Sequence, residues 1–243
     1  MLIGLEMPIK ARWVYDLLNI LEPGDKNDEI NRKIDQILFE IAGKESRRKI
    51  KTILLRYFVE TKKIDARTIE VQSSPLLYYS KNYDFQIMKP LYLEVLLIRS
   101  NSIRIILNSI LKKYENINFK RKDVMEIVST KFGQRRSTEK FVDNFLKVMV
   151  EFDIFSKIDT GVYAIKPKIK LNEKQKVLFI LLYSYYTKTS TIELQTFDLI
   201  QEFNVFDLDF DEILQKYNGK LWQLSYRAGG YLVYITQKFD III

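Results

Sequence analysis

The chain has 243 residues, 47% of them hydrophobic, and carries 39 Lys and Arg against 31 Asp and Glu, a formal net charge of +8. It contains no cysteine and no histidine. These absences exclude disulfides, thiolate zinc sites, thiol enzymes, Ser-His-Asp triads and nearly every transition-metal centre. The length suits one sizeable domain or two to three small ones.

The sequence does not predict a membrane-spanning segment or a secretory signal. The longest strongly apolar run, Val177–Tyr186, is too short to cross a bilayer, which needs about 20 residues. The stretch Met1–Trp13 is mixed and lacks the apolar region of a secretory signal. We therefore expect a cytoplasmic protein with no membrane partner.

Residues 1–75 are predicted to form an N-terminal helical region. Two apolar stripes are separated by Pro23 and Gly24, and a third helix is predicted from about Ser46 to Glu60. The segment Glu45–Arg67 has eight basic and three acidic residues. It is a second possible phosphate-facing patch, although a solvated helix face is the favoured interpretation there.

Residues 76–171 are predicted to form a winged helix-turn-helix domain. Pro90 is expected to open a long first helix, Leu91 to about Tyr114. A second helix, Arg121 to Lys131, ends at Gly133, and Ser137 is a good N-cap for a third helix. The third helix turns its aromatic and aliphatic positions inward and places three polar residues at spacings of four and three on its other face: Lys140, Asn144 and Lys147.

The predicted wing consists of two β-prone runs, Ile154–Ile158 and Val162–Ile169, around a loop of Asp, Thr and Gly. Period-two alternation would put Lys166, Lys168 and Lys170 on one side of the second strand. From Phe119 to Lys170 there are twelve basic and seven acidic residues, a net of +5.

This module is therefore expected to contact double-stranded DNA. Neutralised phosphates would supply affinity, and base preference would come from Arg135, Arg136, Lys140 or Asn144. The predicted DNA-binding residues are Arg121, Lys122, Arg135, Arg136, Lys140, Asn144, Lys147, Lys166 and Lys168.

Residues 172–243 are predicted to be a separate helical and β-hairpin domain with a net charge of −2. Helices are expected at Glu173–Tyr186, Thr191–Phe203 and Asp209–Tyr217, followed by a hairpin of Lys220–Tyr226 and Tyr231–Thr236. The order of elements suggests a second, degenerate winged helix. Its acidic character should repel DNA and suggests a protein partner or self-association.

No motif predicts catalysis, a cofactor or a metal site. P-loop and Rossmann glycine patterns are missing from the sequence, and the alternating Asp207, Asp209 and Asp211 lack the glycine and glutamate of an EF-hand loop. Capping of a helix by Asp209 is the simpler interpretation. Nuclease activity through scattered carboxylates and lysines is a distant alternative.

The order of parts resembles the BrxA proteins of bacteriophage exclusion (BREX) systems. The resemblance covers roughly Lys44–Leu171: a basic helical region with Arg47, Arg48 and Arg56, a long helix, and then Asp123–Phe155 closing before a hairpin. It implies a non-enzymatic, DNA-binding accessory role in phage defence.

The fold class expected from the sequence is mainly α with small β-hairpins, containing one or two winged helices behind an N-terminal helical region. The leading functional hypothesis is a non-enzymatic DNA-binding protein, either a defence accessory factor or a transcriptional regulator. The alternative is a scaffold subunit that uses winged-helix folds to bind partner proteins.

Overall fold

Helices dominate the chain and are joined by small, mostly antiparallel sheets. A computed structural model describes residues 4–115, 117–134, 136–193, 202–227 and 230–236. The helices are α1 (Ala11–Ile20), α2 (Asn27–Ile37), α3 (Lys44–Phe58), α4 (Pro75–Asn82), α5 (Phe85–Arg99), α6 (Asn101–Lys113), α7 (Arg121–Phe132), α8 (Arg136–Glu151), α9 (Glu173–Thr187) and α10 (Asp211–Lys216).

The strands are short and mostly form hairpins. They are β1 (Thr61–Lys63), β2 (Ile69–Val71), β3 (Phe119–Lys120), β4 (Phe155–Asp159), β5 (Val162–Ile165), β6 (Ile169–Lys170), β7 (Thr191–Glu193), β8 (Phe206–Asp207), β9 (Trp222–Arg227) and β10 (Gly230–Ile235). The mainly helical class predicted from the sequence is therefore confirmed at this level. Within the described ranges, no helix is both long enough and apolar enough to cross a membrane.

Three stretches of the chain share an order of elements in outline: a first helix, at least one further helix and a closing hairpin. We call residues 11–71 the first unit (α1, α2, α3, β1, β2) and residues 101–165 the second unit (α6, β3, α7, α8, β4, β5). The third unit, residues 173–235, contains α9, β7, β8, α10, β9 and β10, with 194–201 outside the described residues. Each unit begins with a helix and ends with an antiparallel hairpin.

The sheets of the units share a strand order. In the second unit the order is β3-β5-β4, and in the third it is β7-β10-β9, so the strand after the first helix pairs with the last strand of the hairpin. In the first unit an antiparallel bridge between Lys26 and Glu70 of β2 takes that place. The units therefore repeat their sheet topology as well as their order.

One hydrophobic cluster runs through all three units, from Leu5 to Val233. Helix α9 lies within it and is buried almost all round, as expected for a helix with no polar face. Its inward residues include Val177, Leu178, Phe179, Ile180, Leu181 and Leu182. The boundary predicted at residue 171 falls between elements, whereas the one predicted at residue 75 falls at the first residue of α4, and the core continues across both.

Helix α5 carries Pro90 in its interior, where proline removes a backbone donor. The carbonyl of Gln86, four residues earlier, instead accepts a hydrogen bond of 3.1 Å from the side-chain amide of Gln175. The same amide lies 3.2 Å from the carbonyl of Ile87. Gln175 is buried in the first turn of α9, so this contact ties α9 to the interrupted turn of α5.

The prediction of one long helix over Leu91–Tyr114 is wrong. Helix α5 begins earlier, at Phe85, because the side chain of Asp84 accepts from the backbone N–H of Ile87 and caps it. It ends at the buried Ser100, whose extended backbone (φ −125°, ψ 86°) separates it from α6. Apolar periodicity continues through the break, so the pattern conceals it.

Two further expectations are corrected. The predicted helix at Thr191–Phe203 begins instead as strand β7, where β-branched Thr191 and Ile192 pair with β10; most of the remaining stretch lies outside the described residues. The strand predicted for Val162–Ile169 ends at Ile165, because Pro167 cannot donate to a sheet. Ile169 pairs with Phe206 of the third unit, in parallel.

Candidate nucleic-acid interface

Helix α8 carries the candidate site of the second unit, and most of its circumference is buried. Gly133, at φ 80°, ends α7 and turns the chain toward α8. The buried positions of α8 are Thr138, Phe141, Val142, Asn144, Phe145, Leu146, Val148 and Met149. Lys140 and Lys147 are exposed. A narrow stripe of the helix therefore reaches solvent.

Asn144 does not face outward, so its assignment as a base-reading residue is wrong. The residue is 8% exposed, and its side-chain amide donates a 3.0 Å hydrogen bond to the carbonyl of Leu5. Two helical turns further along α8, the side chain of Glu151 accepts a 3.0 Å hydrogen bond from the backbone N–H of Ala11. The segment from Leu5 to Ala11 thus covers this face of α8.

Replacing Asn144 with alanine should lower the free energy of unfolding by about 1–3 kcal/mol. The substitution removes the donor from a buried carbonyl, and an unsatisfied buried polar group costs that order of energy. Urea unfolding measures the loss. Lys147→Ala, on the exposed stripe, is the control and should change stability by less than about 0.5 kcal/mol. Equal stability of the two variants would contradict the contact.

Arg121, at the start of α7, is paired and not free. Its Nε donates to Asp143 Oδ1 of α8 at 2.6 Å, with both side chains partly exposed. The hydrogen bond to Asp143 raises the pKa of the Arg121 guanidinium. Arg121 therefore links α7 to α8, and a phosphate would have to compete with this carboxylate.

Lys166 is also held by a carboxylate. Asp153, at φ 63°, accepts from Lys166 at 2.9 Å and from Lys89 of α5 at 2.5 Å. Burial alone would raise the pKa of Asp153, but the hydrogen bonds from Lys89 and Lys166 outweigh burial, and the pKa is lowered. The predicted alignment of Lys166, Lys168 and Lys170 along one strand is wrong, since β5 ends before them.

Four of the predicted DNA-binding residues remain available as cations. Lys122, Lys140, Lys147 and Lys168 are exposed, and none of them forms an ion pair with another described residue. Arg135 lies outside the described residues. Arg136 begins α8, but its side chain is likewise not described. The second unit thus presents exposed lysines from α7 and α8, and the segment that follows β5 presents another.

The first unit presents a basic surface on which no predicted site residue lies. Arg48, Thr52 and Arg56 form an exposed stripe along α3, and the hairpin tip from Thr61 to Arg67 is exposed throughout. Arg48 is paired with Glu45 at 2.6 Å. The charge of this segment was visible in the sequence, but its relation to the second unit was not.

The acidic residues of the third unit are partly engaged within the chain. Glu202 accepts from the Arg104 guanidinium of α6 at 3.0 Å, and Asp209 accepts from the backbone N–H of Asp211 at 3.3 Å, at the start of α10. Asp207 and Glu212 are exposed. Asp198 lies outside the described residues. Among the described acidic residues, no three come together as ligands for a metal ion.

No protein family model, curated protein or solved structure matches this chain in sequence or fold comparison.

Proposed function

We propose that this chain is a non-enzymatic winged-helix protein that binds double-stranded DNA. Three features of the second unit support the winged-helix assignment. Its helices and strands follow the order α6, β3, α7, α8, β4, β5. Its sheet has the order β3-β5-β4, and α7 and α8 are joined by a short turn at Gly133. In such folds, the third helix and the hairpin are the parts that meet the duplex.

The exposed lysine stripe of α8 is the observation that carries the proposal. Lys140 and Lys147 are two helical turns apart, about 10 Å along the axis. Lys122 of α7 and Lys168 beyond the hairpin are exposed as well. With Asn144 buried and Arg121 paired, these lysines favour phosphate contacts over base readout, so binding should depend strongly on salt and weakly on sequence.

The biological role belongs to the same proposal. A cytoplasmic accessory protein of a BREX-like phage defence system, or a transcriptional regulator, would use such a surface. The third unit, whose sheet order repeats that of the second, would be a degenerate winged helix that contacts a protein partner or another copy of the chain.

The test is the affinity for a labelled generic duplex as a function of salt concentration. Lys140→Gln/Lys147→Gln should weaken binding and flatten the slope of log K against log salt by about 1.8, because each lost phosphate contact removes about 0.9. Lys174→Gln/Lys220→Gln is the matched control. It removes two exposed lysines from the third unit and should leave the slope unchanged.

If wild-type protein does not bind the duplex at low salt, the DNA-binding proposal is wrong. If it binds and the two double variants behave alike, the α8 surface is not where the duplex lies.

A scaffold function is the second candidate, and the ion pairs of the second unit favour it. Arg121 and Lys166 are both held by carboxylates, and the groove face of α8 is covered near Leu5. Large apolar side chains are exposed at Phe39 (81%) and Tyr226 (73%). Absence of duplex binding, together with capture of a defined partner that Tyr226→Ala abolishes, would support this function.

A further inference from the structure

We infer that the first unit, through α3 and the β1–β2 hairpin, is a second surface for duplex DNA. The inference rests on the proposed function but concerns a different part of the chain. Four observations support it: a repeated architecture, an uncovered helix face, an exposed hairpin tip and a surplus of unpaired cations.

The second helix and the first hairpin strand of the first unit correspond to those of the second unit at one offset. Helix α2 begins at Asn27 and helix α7 at Arg121, 94 positions later. In both helices the carboxylate of the third residue accepts from the backbone N–H of the N-cap lysine: Glu29 from Lys26 at 3.2 Å and Asp123 from Lys120 at 2.7 Å. In each unit, that lysine pairs with the last strand of the hairpin. By this correspondence, α3 occupies the position of α8.

The hairpin tips carry the same three residues at the same offset. Lys, Ile and Asp stand at 63–65 and again at 157–159. Ile64 and Ile158 are 49% and 58% exposed, although isoleucine is usually buried. In the first unit, the Asp65 carboxylate accepts from the backbone N–H groups of Arg67 and Thr68, so it shapes the loop and its charge is partly neutralised there.

The outer face of α3 is more accessible than that of α8. The stripe formed by Arg48, Thr52 and Arg56 is exposed along its length, whereas the residues 94 positions later in α8, Val142, Leu146 and Val150, are buried or half-buried. Two other cations of α3 point elsewhere: Arg47 pairs with Asp35 of α2 at 3.7 Å, and burial lowers the pKa of Lys51. The cations on the stripe are thus separate from those that hold α3 to α2.

Cations outnumber available carboxylates on this surface. Five exposed residues form no ion pair with another described residue: Lys44, Arg56, Lys62, Lys63 and Arg67. Glu45 is occupied by Arg48, and Asp65 by the loop backbone. A solvated helix face would be sufficient to explain the positive charge of α3. It does not account for the same exposed Lys and Ile at the tip of a hairpin in both units.

The experiment measures salt-dependent duplex binding by Arg56→Gln/Lys63→Gln in the full chain. We expect weaker binding and a slope of log K against log salt that is flatter by about 1.8. When the four changes are combined, this loss should add to the loss from Lys140→Gln/Lys147→Gln. The conservative variant Arg56→Lys/Lys63→Arg should retain the wild-type slope. Lys174→Gln/Lys220→Gln again supplies the matched control, and urea unfolding verifies that every variant is folded.

The two proposals fail in different ways. In one outcome, the wild type binds, Lys140→Gln/Lys147→Gln flattens the salt slope, and Arg56→Gln/Lys63→Gln matches the control. The second surface is then overturned, while the DNA-binding proposal stands. If the first-unit variant alone loses slope, the inference holds and the duplex lies on α3 in place of α8. If wild-type protein does not bind at low salt, both are overturned.

Discussion

Replacing Glu94 with methionine is expected to stabilise the protein, and the gain should grow as the pH rises. Glu94 lies on α5, is 0% exposed, and neither of its carboxylate oxygens has a hydrogen-bond partner among the described residues. A buried polar group without a partner costs about 1–3 kcal/mol in protein mutational data. Methionine is unbranched and similar in length, and it fills the same space without that cost.

The direction of the pKa shift of Glu94 determines how the stability of the wild type relative to the variant depends on pH. Burial raises the pKa of its carboxyl well above the ordinary value, so the folded state binds this proton more tightly than the unfolded state. The contribution of Glu94 to stability is therefore highest at acidic pH and falls, by up to about 1.4 kcal/mol per pH unit, as the pH rises from the ordinary toward the raised pKa.

Urea unfolding of the wild type and Glu94→Met at pH 5, 7 and 9 tests this expectation. The chain has no histidine and no cysteine, so few side chains titrate in that interval and the difference between the two proteins isolates Glu94. The wild type should lose stability from pH 5 to pH 9 relative to the variant. Parallel curves at all three pH values would show that Glu94 does not titrate anomalously.

Replacing Phe119 with alanine is expected to cost about 3–5 kcal/mol, the usual range for truncating a buried phenylalanine. Phe119 of β3 is 1% exposed, and its ring centroid lies 4.9 Å from Phe155, 5.7 Å from Tyr114 and 5.8 Å from Tyr163. It therefore joins the helix before the sheet to both strands of the hairpin. The loss includes aromatic contacts and the cavity left behind.

The free energy of unfolding in urea measures the effect of Phe119→Ala. Ile117→Ala is the matched control, because Ile117 lies two residues away and is 62% exposed. It should change stability by less than about 0.5 kcal/mol. A loss below 1 kcal/mol for Phe119→Ala would mean that the second unit does not depend on this aromatic cluster.

The sequence pattern predicted a helix or strand well where residues at its own ends mark its start or stop. Helix α7 stops at Gly133, α9 begins at the capping pair of Asn172 and Gln175, and the β9–β10 hairpin follows its β-prone runs. The pattern failed where a neighbour decides the outcome. The break at Ser100 does not interrupt the apolar periodicity, and the pairing of Ile169 with Phe206 joins residues far apart in sequence.

The candidate site was predicted less well for the same reason. Helical spacing correctly placed Lys140 and Lys147 on one outward stripe of α8. It could not show that Leu5, 139 positions earlier, would cover Asn144 on that stripe. Ion pairs such as that between Arg121 and Asp143 depend on how two helices pack against each other. The residue periodicity within one helix carries no information about that packing.

The burial of α9 limits how this protein can be divided. Synthesis from the N-terminus produces the first two units before Glu173–Thr187, and until that helix arrives the face of α5 opposite it has no cover. The carbonyls of Gln86 and Ile87 would also lose the amide of Gln175. A fragment ending near residue 171 would thus present a large apolar surface to water and tend to aggregate. The three units share one hydrophobic core, so point substitutions in the full chain are the appropriate way to separate their roles.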